Sequence, residues 1–468
     1  MKSSILTAIA LSATTLLAQE HKEMAYVATT AQVKLENINK KGVVTLEVSN
    51  PNNVEYKDAP VCVKLPEAFK WKSATVRADG EEIPSQLDDL NGDGTMDELS
   101  LVVDLSANGS KTLEVTFGKK ELPADRYENR VFTDMRMRVV KKGRTIDLRV
   151  ENYRIDTISE VEDTHYSDVY PHGLCFENEL MGYRVYFNAG HGTDLYGKRV
   201  KQLELDRSMW YTPEIRDSAA LYNYGEDYIV VGATASLGTL RGWDDTKWNP
   251  AYLDTPADRR SVDPCMQNIT PFDWRQAHIV ASGPVRTVVD MNVEGWQYKG
   301  RKLNLKARYI LYAGNREHQI LNQLESADGK GLSDLEFVTG VMKVGSLNQD
   351  SIDEAMIKYE FDGHGYCASY GKDWPDPNHV LFPYMSKAAL AVAIPEANVT
   401  RTLDRREQIL YGLRLNADGS VCYRAVCAAP DLETFAPYED GRWNYKRWFE
   451  WAKTWSQQRP AEVSVVAK

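Results

Sequence analysis

The sequence predicts a mainly β protein: an N-terminal β-sandwich domain, then a large antiparallel β-sandwich with a C-terminal helix. Three observations carry this. Short alternating runs bounded by Gly, Asn, Pro and Asp recur from about residue 31 to 430. No βα alternation interrupts them. Aromatics at helical spacing appear only in RWNYKRWFEWAKTWSQQ, residues 442–458.

The elements follow in order. MKSSILTAIALSATTLLA, residues 1–18, reads as a secretory signal: Lys2, an apolar run, and a small residue before Gln19. It predicts a periplasmic or secreted protein. Residues 19–120 hold QVKLENI, GVVTLEVSN, APVCVKL, SATVRAD, LSLVVDL and KTLEVTF, the strands of a first sandwich. Polar GKKELPADRY, 118–127, with Pro123, is the expected boundary. Residues 125–458 carry longer runs, such as AHIVASGPVRTVVDMNV and LNLKARYILYA, and the terminal helix. Length and apolar content suffice for two cores.

Composition narrows function. The net charge of −11 excludes general affinity for nucleic acid or anionic lipid. After the signal, no apolar run approaches the roughly 20 residues of a membrane helix. The six cysteines show no metal spacing; Cys422 and Cys427, five apart, face opposite sides of a strand, so buried thiols with at most one disulfide are expected. Eleven tryptophans and twenty-five tyrosines serve cores first, but a surplus also suits stacking on sugar rings.

DDLNGDGTMDELS, residues 88–100, spaces Asp89, Asn91, Asp93 and Asp97 as in the first half of a calcium loop, with Gly94 at the turn. Ser100 stands where the closing Glu belongs. The alternatives are a structural calcium site and a solvated hairpin turn. No cofactor is required by the rest of the sequence.

The chemistry concentrates in HYSDVYPHGLCFENELMGYRVYFNAGHGTDLYGKR, residues 165–199. THYSDVYPHG reads as a loop presenting His165, Tyr166, Tyr170 and His172. If Phe176 to Phe187 is one strand, Glu177 and Glu179 face one side and Arg184 the other, unless Gly182 carries a bulge. Asp194, Tyr196 and Lys198 alternate onto one side. Trp210 and Tyr211 follow in SMWYTPEIRD; Arg241, Trp243, Asp244 and Trp248 follow in GTLRGWDDTKW, with Trp243 expected at a loop tip. Salt bridges within a large sheet are the plain alternative for each residue. The cluster as a whole supplies a base, an acid and a cation.

FENELMGYRVYF, TDLYGKR, SLGTLRGWDD, ASGPVRTVVDMNVEGWQYKGR, RYILYAGNRE and FVTGVMK, with IPSQLDDLNGDGTMDEL before them, resemble a family of secreted proteins from glycan-degrading Bacteroidetes described as a domain of unknown function. The likeness runs from about residue 40 to 455. It implies a supersandwich related to mutarotase and polysaccharide lyase sheets. A relative acts as an oligosaccharide dehydratase in ulvan breakdown, making an unsaturated uronic acid at the non-reducing end. Members often carry several histidines before the Gly-x-x-x-Glu strand; here YPHG leaves only His172, which argues against a metal in this cluster.

The residues suit that chemistry. Dehydrating a uronate removes the C5 proton and expels the C4 hydroxyl. A cation steadies the enolate-like charge, a His or Tyr takes the proton, and a Tyr or Glu protonates the leaving oxygen. His172, Tyr211, Glu179 and Arg184 form the expected catalytic set; His165, Tyr166, Lys198, Trp210, Arg241 and Trp243 are the expected substrate contacts. The expected partner is an oligosaccharide with an acidic sugar. A glycoside hydrolase or true lyase is the alternative enzyme, and a periplasmic carbohydrate-binding protein the alternative without catalysis. Glu177 and Glu179, about 7 Å apart along one strand, do not flank a bond as hydrolysis asks.

Overall fold

The alternating runs of residues 43–118 resolve into two facing antiparallel sheets. One orders Ala31–Gln32, Tyr56–Lys64, Glu98–Leu105 and Ser85–Asp88, its first pairing parallel; the other orders Glu462–Val465, Val43–Ser49, Ser110–Gly118, Ser73–Ala78 and Glu81–Ile83. Their inward residues, among them Leu46, Val61, Val76, Leu101 and Val115, form one core. The last strand comes from the far end of the chain: Leu46 pairs with Val465. The computed structural model describes residues 31–138, 152–211, 223–254, 262–347, 356–373, 386–429 and 445–466. The signal at 1–18 lies outside them.

The second sandwich sets a nine-stranded antiparallel sheet against a layer of two smaller sheets. One of these has six strands, in the order Asn152–Arg154, Val131–Arg138, Val169–Asn178, Met181–Tyr186, Thr193–Gly197 and Glu226–Asp227; the other has five. Phe176, Tyr183 and Leu195 point into the shared core, where they meet Tyr309, Ile320 and Tyr423 of the large sheet. The helix Tyr445–Ser456 lies on the other face of that sheet. Its Trp448, Phe449, Ala452 and Trp455 bury against Ala389, Ala391 and Val426, as the aromatic spacing predicts. No helix among the described residues is long and apolar enough to cross a membrane. None of the six cysteines forms a disulfide.

The first sandwich docks on the nine-stranded sheet through Val102, Val288, Ile310 and Tyr312. A buried arginine joins them. Arg286 Nε donates to Asp88 at 2.6 Å and Nη2 to Glu98 at 2.8 Å. Two carboxylates from the first domain thus neutralise one guanidinium of the second.

The segment expected as one strand, Phe176–Phe187, is a hairpin. Asn178 closes it: its side-chain oxygen accepts the amides of Leu180 at 2.8 Å and Met181 at 3.0 Å. Crossing the turn restarts the alternation, so Glu177 and Arg184 share a face, correcting the expectation that they face apart. Gly182 carries no bulge; it pairs with Glu177 and Tyr196 in regular register. The bulge lies upstream, between Tyr170 and Cys175, and lifts His172 out of the ladder.

Candidate active site

Register builds the site on the face of the six-stranded sheet that points away from the core. Asp134, Cys175, Arg184 and Asp194 stand in one row across four strands. Glu177, Gly182, Tyr196 and Asp227 form the next. A side chain at position 182 would crowd this row, since a Cβ there lies 3.1 Å from that of Tyr196.

Residues 204–211 cover the rows. Glu177 accepts the amides of Glu204 at 2.9 Å and Leu205 at 2.8 Å, so its carboxylate starts the short Leu205–Ser208 helix. Met209 and Trp210 then take left-handed backbone, φ 48° and 73°. Such backbone is costly for residues with a Cβ, about 1 kcal/mol or more each. Two contacts oppose the strain: Trp210 Nε1 donates to Asp227 at 2.9 Å, and the indole lies 4.3 Å from the Arg184 guanidinium. The turn delivers Tyr211 to the rim.

Arg184 is the hub. Its guanidinium donates to Asp194, to Tyr186 Oη, to Tyr211 Oη at 3.0 Å and to the Pro171 carbonyl at 3.2 Å; Asp227 lies 3.4 Å away. Its partners are therefore Asp194 and Asp227, not Glu177 or Glu179. Burial raises the pKa of both acids; Asp227 rises well above the usual range because it also faces Asp194. Arg184 opposes that rise at both acids.

Tyr166, His172, Tyr186 and Tyr211 form the half-buried rim above it. The His172 ring stacks on Tyr166 at 4.6 Å, and its Nδ1 lies 3.1 Å from the Tyr166 carbonyl oxygen. A carbonyl only accepts, so Nδ1 carries the proton and Nε2 keeps its lone pair. Burial, then the charges of Arg184 and Arg138, lower the imidazole pKa to about 4. At neutral pH it is an uncharged base, 6.3 Å from the Tyr211 ring. Burial pushes the Tyr211 and Tyr186 phenols up, against the pull of Arg184, so both keep their protons.

The structure brings together His172, Tyr211, Arg184, Tyr166 and Trp210. It does not bring in the others. Glu179 sits at the hairpin turn, bonded to Arg130, which also holds Asp58. Lys198 is buried beneath the cover with Glu177 and, at 3.6 Å, Glu204. His165 Nδ1 turns to Asp168 at 2.9 Å. Arg241 lies inside the sandwich, donating to the Thr234 and Leu240 carbonyls; burial lowers its pKa to about 10. Trp243 is fully buried rather than at a loop tip. Its strand pairs with Phe337–Met342, and its ring packs on Met266, Val338 and Leu410. Sequence reasoning missed Asp227, whose one signal is an acid heading the apolar run DYIVVG.

In the 88–100 loop, Asp89 accepts the amides of Gly92 and Gly94, both at 2.7 Å; Asn91 accepts Asp93, Asp93 accepts Thr95, and Asp97 accepts Leu90. These oxygens are of the type calcium prefers, yet each residue serves the turn. Among the described residues, no three His, Cys, Asp or Glu side chains gather as a metal shell.

A family model described as a domain of unknown function (DUF4861) matches residues 48–463. No curated protein matches the sequence. Among solved structures, an α-mannosidase from Enterococcus faecalis V583 is 8% identical over 92% of this chain and 47% of its own, with a TM-score of 0.38. A glycosyl hydrolase family 38 protein from Enterococcus faecalis is 8% identical over 98% and 50%, with a TM-score of 0.42. The chain spans about half the length of each.

Proposed function

The chain belongs to the DUF4861 family, and from that premise we propose that it is a carbohydrate-active enzyme that dehydrates a non-reducing-end uronic acid of an oligosaccharide. One observation carries this: a neutral imidazole faces a phenol that is hydrogen-bonded to a guanidinium. His172 Nε2 takes the C5 proton. The C5–H electron pair forms the C4–C5 double bond, the C4–O bond breaks, and Tyr211 protonates the departing hydroxyl, which leaves as water. Solvent then exchanges the proton from His172 to Tyr211. Arg184 holds Tyr211 and Tyr186 in place through its hydrogen bonds to their hydroxyls.

Hydrolysis is less well served. Asp194 and Asp227 are both buried on one guanidinium, so they do not flank a glycosidic bond. The test is absorbance of the C4–C5 double bond on uronate-ended oligosaccharides. Growth at unchanged chain length is expected. Growth with chain shortening means a lyase, and no growth removes the elimination reading.

A further inference from the structure

Among the described residues, the cations on the strands of the outer face are matched by acids with one exception. Arg136 and Arg154 both hold Asp134, at 2.7 and 3.1 Å. Arg184 has Asp194 and Asp227; Lys198 has Glu177 and Glu204. Arg138 has no acid partner among the described residues, and its buried Nε makes no hydrogen bond. Alternation puts it on the site's face: Asp134, Arg136 and Arg138 share one side of their strand, while Met135 and Met137 pack into the core. Its backbone is fixed, because its amide donates to the Asp168 carbonyl at 2.9 Å. The half-buried side chain lies near enough to His172 for its charge to lower that ring's proton affinity.

We propose that Arg138 is the residue that binds the substrate carboxylate. This rests on the uronate reading above and moves the clamp away from Arg184, the residue the sequence favours. Arg184 is already neutralised, and a further anion there would meet Asp194 and Asp227. Among the described residues no acid takes up the charge of Arg138, and a planar fork suits a carboxylate bidentately. The uronate carboxyl carbon is bonded to C5, so docking it on Arg138 sets the C5 proton beside His172. The arriving anion also offsets the arginine charge that weakens the base, so binding strengthens His172 when it is needed.

The test uses the full chain and a uronate-ended oligosaccharide lacking the 4-hydroxyl, which binds but cannot lose water, with its methyl ester as the neutral counterpart. Calorimetry on wild type is expected to show the acid bound roughly 10- to 100-fold more tightly than the ester. Arg138→Gln should bring the acid to the affinity of the ester and leave ester binding and Tm unchanged. Arg138→Lys should restore part of the preference. If wild type binds acid and ester alike, the uronate reading falls, and the clamp with it. If wild type prefers the acid and Arg138→Gln keeps that preference, the clamp alone is overturned.

Discussion

Arg184 Nη2 reaches two carboxylates, Asp194 on the neighbouring strand and Asp227 on the next but one, the latter at 3.4 Å. Either acid can balance the guanidinium when the other is lost. Asp194→Asn should therefore cost only about 1–2 kcal/mol, because Asp227 still pairs with the guanidinium. Asp227→Asn should cost no more. The double substitution leaves a buried charge unpaired, at about 3–5 kcal/mol. Urea unfolding at pH 7 should show a double-mutant loss larger than the sum of the single losses. Simple additivity would mean that the acids do not share the charge.

The position of His172 predicts an unusual acid limb. A histidine whose pKa is lowered stays neutral as pH falls, so kcat/KM should hold through pH 5.5 and drop only near pH 4. A midpoint near 6.5 would put the base elsewhere. His172→Ala should cut turnover roughly 100-fold or more with little change in Tm.

Tyr211→Phe removes the proton donor while keeping the ring. Turnover should fall by roughly 100-fold. The lost bond to Arg184 should cost about 1–2 kcal/mol in stability, with binding of the 4-deoxy ligand largely kept. Weaker binding at unchanged kcat would make Tyr211 a contact and not an acid.

The sheets were legible in the sequence because period-two alternation reports which side of each strand is wet. The terminal helix was legible because its aromatics repeat every three or four residues. The cluster at 165–199 announced itself by ionisable residues inside a strand pattern. What failed was parity across Glu179–Leu180. No glycine or proline marks that turn; the Asn178 side chain makes it, and an uncounted turn assigns Glu177 and Arg184 to opposite faces. Asp227 and Arg138 were missed for a different reason. Each is one ionisable residue on a strand, and its meaning depends on which strand lies alongside. The Glu462–Val465 strand likewise says nothing locally of a partner near residue 46. Trp243 misled because Gly before it and acids after it imitate a loop, whereas Gly242 is there to clear Tyr298, whose ring would lie 2.7 Å from a Cβ.

For the 88–100 loop, the two alternatives diverge under calcium. A backbone amide already bonds to at least one side-chain oxygen of each of Asp89, Asn91, Asp93 and Asp97. Added calcium is therefore expected to leave Tm unchanged, with Asp93→Ala costing about 1 kcal/mol for its lost turn bond. A saturable rise in Tm that Asp93→Ala abolishes would establish a site, since a ligand that binds only the folded state stabilises it by mass action.

Glu204 predicts a loss of stability toward alkaline pH. Burial, and then the neighbouring Glu177, outweigh Lys198 and raise its pKa from 4.5 to about 7. A carboxyl raised in the folded state contributes fully below the unfolded value of 4.5, and its contribution disappears as pH climbs through 7. Between pH 4.5 and 8 the loss should be on the order of 3 kcal/mol. Buried neutral histidines such as His172 and His318 act in the opposite sense, gaining as pH rises, so the wild-type curve alone is ambiguous. Glu204→Gln isolates the effect, because glutamine imitates the protonated acid at every pH and leaves the histidines alone. The variant should be close to wild type at pH 4.5 and more stable at pH 8. A constant difference across that range would mean that Glu204 ionises normally and that the 204–211 cover is held without its proton.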